Sequence, residues 1–180
     1  PLPISAGTGL DALSHCLEAC LSPVFNPVAG GLAKEGAGRL MRRLADVAEH
    51  PSDIAVRSEI MMGAILGGLS MVKGLGAAHA VAVPLDEIGL HHGTLVGVVM
   101  PHAIRFVAAS AGERMTDLCA SLGYRDANAL ADALTKLNTT LGLPPDLRSM
   151  GVSDEDMRAA ATVAATGHFN RTSARPAGES

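Results

Sequence analysis

Asp11-Ala-Leu-Ser-His15 sets a carboxylate and an imidazole four residues apart in an apolar stretch. On a helix such residues stand about 40° apart around the axis, so both side chains leave from one side, one turn apart. Each is costly to bury without a partner. Two readings fit the pair: a metal site, or an Asp–His hydrogen bond near a helix start, where an acidic side chain is favoured anyway. His79 lies in Gly74-Leu-Gly-Ala-Ala-His-Ala-Val-Ala-Val83, a run of small apolar residues, as either a ligand or a satisfied core residue. His91-His92-Gly93 supplies a third candidate, and neighbouring histidines on a helix diverge, so at most one joins a given site. One Asp and three His from three separate helices make a mixed oxygen and nitrogen donor set. That set suits Fe²⁺, Zn²⁺ or related divalent metals and leaves room for a substrate oxygen.

Other chemistry is weaker. Cys16 and Cys20 are four apart beside His15, so a thiolate site competes with the ordinary reading of small buried thiols in apolar helices. Gly74-x-Gly76 lacks the third glycine and the preceding strand of a dinucleotide fingerprint. His50 and His102 read as surface or kink-lining residues.

The elements that must hold these groups are helices. Hydrophobic residues make up 48% of the 180, yet aromatics only 2%, with no Trp. A core of Ala, Leu, Val, Ile and Met favours packed helices over sheets. Pro1-Leu-Pro-Ile without an initiator Met reads as an extended lead-in to a piece of a longer protein, with Thr8 capping a helix to about Leu21. Further helices are expected at roughly Ala29–His50, Ser52–Val72 and Ala77–Val83, the last ended by Pro84. One more starts near His91 and reaches Ala109, kinked at Pro101, and three others cover Gly112–Leu122, Asn128–Leu141 and Ser153–Thr166. Ser153 with Asp156 fits a capping box. The tail from Gly167 to Ser180 reads as polar and extended or frayed. The expectation is an all-α, multi-helix bundle forming one domain over residues 1–180.

A net charge of −4 excludes the concentrated basic surface that nucleic acid requires. Three cysteines, an odd number, point to a reducing interior rather than a disulfide framework. Ile60–Val72 is closest to a membrane span but contains Gly63, Gly67 and Gly68 and ends at Lys73, so it reads as a core helix of a soluble, cytoplasmic protein.

The order of these segments resembles the C-terminal domain of the iron-containing (group III) alcohol dehydrogenases. The resemblance rests on Thr8-Gly-Leu-Asp11-Ala-Leu-Ser-His15-Cys-Leu-Glu18-Ala, on Gly74-Leu-Gly-Ala-Ala-His79-Ala-Val-Ala, and on His92-Gly93 followed by Met100-Pro101-His102 and Arg105-Phe106. Leu141-Gly-Leu-Pro resembles a later family segment. It implies a dehydroquinate synthase-like α-domain with metal ligands at Asp11, His15, His79 and His92. It further implies Fe²⁺, or Zn²⁺, as a Lewis acid on an alcohol or aldehyde oxygen, and hydride exchange with NAD or NADP. The cofactor would sit mainly on an N-terminal nucleotide-binding α/β domain outside this chain, in a homo-oligomer when intact. The helical part alone is expected to keep the fold but not the dehydrogenase activity.

Three departures stand out. Family members often carry a second His where this sequence has Val83. The His79–His92 interval is slightly short, which makes His91 an alternative to His92; Gly93 favours His92. Thr172-Ser-Ala-Arg175-Pro176 matches the family's Thr-Asn-Pro-Arg-Pro only in part. Two other readings compete. Asn26-Pro-Val-Ala with Ala33-Lys-Glu-Gly36 is similar to the maleylacetate reductases of the same superfamily, and a non-catalytic helical assembly domain would use its polar pairs structurally.

Overall fold

A computed structural model describes residues 1–178. Among them are nine α-helices and no strand: α1 (Leu2–Leu21), α2 (Pro27–Arg43), α3 (Asp46–Glu49), α4 (Ile54–Ser70), α5 (Ala77–Leu85), α6 (His92–Ala111), α7 (Glu113–Leu122), α8 (Ala127–Thr140) and α9 (Asp154–Thr166). Short 3-10 turns join several of them, and the all-α bundle stands as expected.

The first helix is longer than its sequence suggests. Pro3 falls in the first turn, where its missing N–H breaks no helical bond, so α1 starts at Leu2 instead of at Thr8. Thr8 is no cap; its hydroxyl donates to the Ile4 carbonyl one turn back. Other starts follow side-chain chemistry. Asn26 accepts from the Ala29 N–H, Asp53 from Ala55 and Val56, and Asp126 from Ala129. Ser153 and Asp156 form the expected capping box. The expected Ala29–His50 helix divides after Arg43 into α2 and α3, and α5 and α6 run through Pro84 and Pro101.

α1 is the centre of the bundle. Leu10, Leu13, Cys16, Leu17 and Leu21 are buried along it, and α2, α4 and α6 pack around it. At its C-terminal end, where carbonyls lack helical partners, the Arg114 guanidinium donates to the Leu21 carbonyl, and the Lys73 ammonium donates to the Val24 carbonyl in the loop that follows. Two close approaches bring backbones together. A Cβ at Gly67 of α4 would lie 2.8 Å from the Ala12 carbonyl oxygen and 3.4 Å from the His15 Cβ. One at Gly93 would collide with the Gly7 carbonyl, so α6 meets α1 backbone to backbone.

Two expectations are corrected. The stretch Ile60–Val72 is not a core helix: only Val56, Gly63, Gly67 and Ser70 of α4 are buried, while Met61, Ile65 and Leu69 face outward. Its small residues form the packing face, so the large apolar ones are left outside. By length and hydropathy, Ile54–Lys73 and His92–Ala111 could each cross a membrane; the second is largely core. The tail is not frayed over its described part. A 3-10 turn at His168–Arg171 lets the Thr172 hydroxyl donate to the Leu75 carbonyl (2.6 Å). Arg175 lies 4.2 Å over the Phe106 ring and donates to the Phe106 carbonyl.

Gly93→Ala should destabilise the chain by about 1–3 kcal/mol, because the obstacle is backbone that no rotamer change can clear. Chemical denaturation of the two proteins measures this; unaltered stability would contradict the close approach.

Candidate metal centre

α1 carries Asp11 and His15 on one face, and Glu18 continues that face three residues on. The Gly74–Gly76 turn reverses the chain into α5, whose third residue is His79. His92 is the first residue of α6, and the close contact at Gly93 holds that end of α6 against α1.

These three elements bring Asp11, His15 and His79 together, and His92 reaches the same Asp11 oxygen from α6 without joining the mutually close group of the other three. Nε2 of His15, His79 and His92 lie 3.5, 3.4 and 3.4 Å from Oδ1 of Asp11. Asp11, His15 and His79 offer donor atoms all within 4.8 Å of one another. Ligands bound at about 2.1 Å around a tetrahedral cation are separated by about 3.4 Å, so the three distances meeting at Asp11 have the length such a centre needs. The His15 and His79 rings stack at 5.1 Å, with His92 5.4 Å from His79.

Polar accounting supports the same fit. Asp11 Oδ1 and His79 Nε2 are both buried and without a hydrogen bond. A purely structural Asp–His pair would satisfy these atoms in each other. Meanwhile the far nitrogens of two rings are occupied. His79 Nδ1 meets Glu18 Oε2 at 2.7 Å, and His92 Nδ1 meets the Asp86 oxygens at 2.9 and 3.1 Å. An ionised carboxylate only accepts, so each Nδ1 is the N–H and each Nε2 is left facing Asp11.

Charge follows this arrangement. Burial would raise the Asp11 carboxyl, but the surrounding His79, His15 and His92 rings outweigh it and hold the group below its ordinary value. Burial would likewise lower His79, yet the Asp11 and Glu18 carboxylates push it up to about 9. His15 is lowered, chiefly by burial, although Asp11 opposes this.

The structure separates the adjacent histidines. His91 is the N-cap of α6, exposed, and its Nδ1 accepts from the Thr94 N–H. His92 therefore reaches Asp11 and His91 does not. His50 and His102 are exposed. The thiolate reading fails: Cys16 and Cys20 are buried, each pushed up to about 12 by burial, and the Cys16 thiol points at the Gly63 carbonyl. Val83 lines a shallow cleft with Ile88 and Val163, between α5 and α9.

Three contributors were not singled out from sequence. Glu18 was legible as the third member of an i, i+4, i+7 row with Asp11 and His15. Asp86 gave no such signal. Phe169, whose ring is 6.1 Å from His79, arrives through the folded-back tail.

Comparison with known proteins matches the Fe-containing alcohol dehydrogenase family, C-terminal, over residues 5–179. A 4-hydroxybutyrate dehydrogenase of Cupriavidus necator is 33% identical over 98% of this chain and 49% of its own length. Maleylacetate reductase 1 of Rhodococcus opacus is 31% identical over 91% of the chain and 46% of its length. The crystal structure of a 1,3-propanediol oxidoreductase superposes with a TM-score of 0.91, at 26% identity, over 99% of this chain and 49% of that one. The chain thus spans about half the length of the curated relatives it matches.

With metal chelated away, His79 should make stability depend on pH. Its folded pKa of about 9 exceeds the ordinary histidine value, so the contribution is full below about pH 6.5 and is lost as pH rises through 9. Thermal melts across that range should show the decline, and His79→Ala should flatten it. The buried thiols make a separate prediction: at pH 8 a disulfide reagent should label Cys16 and Cys20 only after the chain is unfolded.

Proposed function

Because this chain belongs to the Fe-containing alcohol dehydrogenase family, as its C-terminal part, we propose that it is the metal-holding half of an NAD(P)-dependent alcohol dehydrogenase or aldehyde reductase. Asp11, His15, His79 and His92 are its ligands, for Fe²⁺ or Zn²⁺. The observation that carries this is the convergence of three Nε2 atoms on one unpartnered, buried carboxylate oxygen. When bound, a divalent cation supplies Lewis-acid polarisation of a carbinol or carbonyl oxygen, and a nicotinamide exchanges the hydride.

The chain's own residues account for the rest of this half. Asp11 supplies the only negative charge of the donor set, so a divalent cation there stays half-neutralised and electrophilic. Glu18 and Asp86 keep the proton of their rings on Nδ1 and leave Nε2 as a lone-pair donor. Asp11 and His92 remain partly exposed, which gives an oxygen of a small substrate a side from which to approach. The nucleotide and most of the substrate pocket belong, in this reading, to an N-terminal α/β domain in the part of the relatives' length that this chain does not span. The intact protein is then a cytoplasmic homo-oligomer.

The identity to a maleylacetate reductase supports a second reading of the substrate. The residues that resemble those enzymes do not bear on it, however. Asn26 caps α2, and Gly36 packs against Cys16 and Leu66, so both serve the helix pair. Assay of the intact protein with maleylacetate, 4-hydroxybutyrate and simple alcohols separates the alternatives. A non-catalytic assembly role leaves the two unpartnered buried atoms without an explanation.

The chain should take up one Zn²⁺ or Fe²⁺ per molecule. Asp11→Ala or His92→Ala should weaken uptake by more than about 100-fold, beyond the range for loss of an outer-shell partner, whereas His91→Ala should leave it within about twofold. Titration against a chromophoric chelator gives the affinities. No uptake at micromolar metal, or equal losses at His91 and His92, would sink the assignment.

A further inference from the structure

We infer that Glu18 is a positioning residue, whose two carboxylate oxygens fix both the start of α5 and the ring of His79, so that Nε2 is the atom offered at the metal position. The inference rests on the metal-binding reading above. Oε1 accepts from the Ala78 N–H at 2.7 Å, and Oε2 takes the His79 Nδ1 at 2.7 Å. The first bond satisfies one of the free N–H groups in the opening turn of α5, where negative charge is favoured. The second sets the ring's plane and tautomer.

Both partners are donors, which decides the residue type. A carboxylate presents two acceptors and meets both. An amide of the same shape presents one acceptor and one donor. If its oxygen serves Ala78, its NH₂ faces Nδ1, drives the ring proton to Nε2 and blocks the atom aimed at Asp11. If it flips, two N–H groups confront each other at α5. Were capping α5 the only task, a neutral amide would serve at less desolvation cost than a buried carboxylate. The charge is explained by the ring.

Its surroundings strengthen the hold. Glu18 is 6% exposed. Met100 and Ile104 of α6 and Ser173 and Ala174 of the folded-back tail line the small cavity at its side. Because Glu18 is buried, both bonds act in a medium of lower dielectric than water. Asp86 makes the equivalent contact to His92 but is half-exposed, so it competes with solvent for the ring. Control of ring orientation is therefore concentrated at Glu18, on the same face of α1 as Asp11 and His15.

The test uses the full chain and Zn²⁺ alone. Glu18→Gln should lower Zn²⁺ affinity about 10–100-fold, the range for loss of an outer-shell partner, with helicity by circular dichroism retained. Affinity within about twofold of the original overturns the inference while leaving the metal site standing. A second measurement needs no variant. Nitrogen-15 spectra of the Zn²⁺-loaded original chain should show His79 protonated at Nδ1 and metal-bound at Nε2; the reversed ring overturns the role of Glu18 even if the variant does not fold. An original chain that takes up no Zn²⁺ at all overturns the metal reading, and this inference with it.

Discussion

One carboxylate oxygen organises this domain. Asp11 Oδ1 is buried with three imidazole nitrogens 3.4–3.5 Å away, and none of them hydrogen-bonds to it. Such a concentration of buried polar atoms calls for partners that the helices alone do not supply to Asp11 Oδ1 and His79 Nε2. Its geometry requires α1, the first turn of α5 and the first turn of α6 to arrive at one place. Much of the packing serves that meeting. Gly93 lets α6 touch α1 at its backbone, and the tail closes over Glu18 and the turn that starts α5.

The helix ends matter as much as the helices. His79 and His92 both sit in opening turns, where N–H groups are free and acidic partners are favoured. Glu18 and Asp86 exploit this, each holding the far nitrogen of a ring. The centre is thus three donor elements with a carboxylate behind two of the rings. α1 contributes both to the cluster and to the support of a ring, through the row Asp11, His15 and Glu18.

The relation to longer relatives fits a division of labour within the family. A 4-hydroxybutyrate dehydrogenase and a maleylacetate reductase share this helical part at about 30% identity. The shared part is the one that carries the convergent site. Substrate choice, in the reading proposed here, lies with surfaces formed jointly with the other half. Val83 faces the cleft beside α9.

Much of this was legible in the residues. Helix class followed from an aromatic-poor core, and the Asp11–His15 pair followed from helical periodicity, because both depend on neighbours along the chain. The order of motifs sufficed to name the family. Helix limits near Pro3 and Pro84 were misjudged where a proline is tolerated in a first turn or carried within a packed helix, whereas Pro101 lies inside α6 as expected. The burial of Ile60–Val72 was misjudged too, since glycines, not the large apolar residues, formed the contact face of α4. Tertiary structure alone decided the rest. It set His92, which Gly93 already favoured, beside Asp11, gave Glu18 and Asp86 their rings, and folded the tail back over Gly74–Gly76. Those outcomes depend on distances between groups up to about a hundred residues apart, as from Leu75 to Thr172, and a local pattern carries no information about such distances.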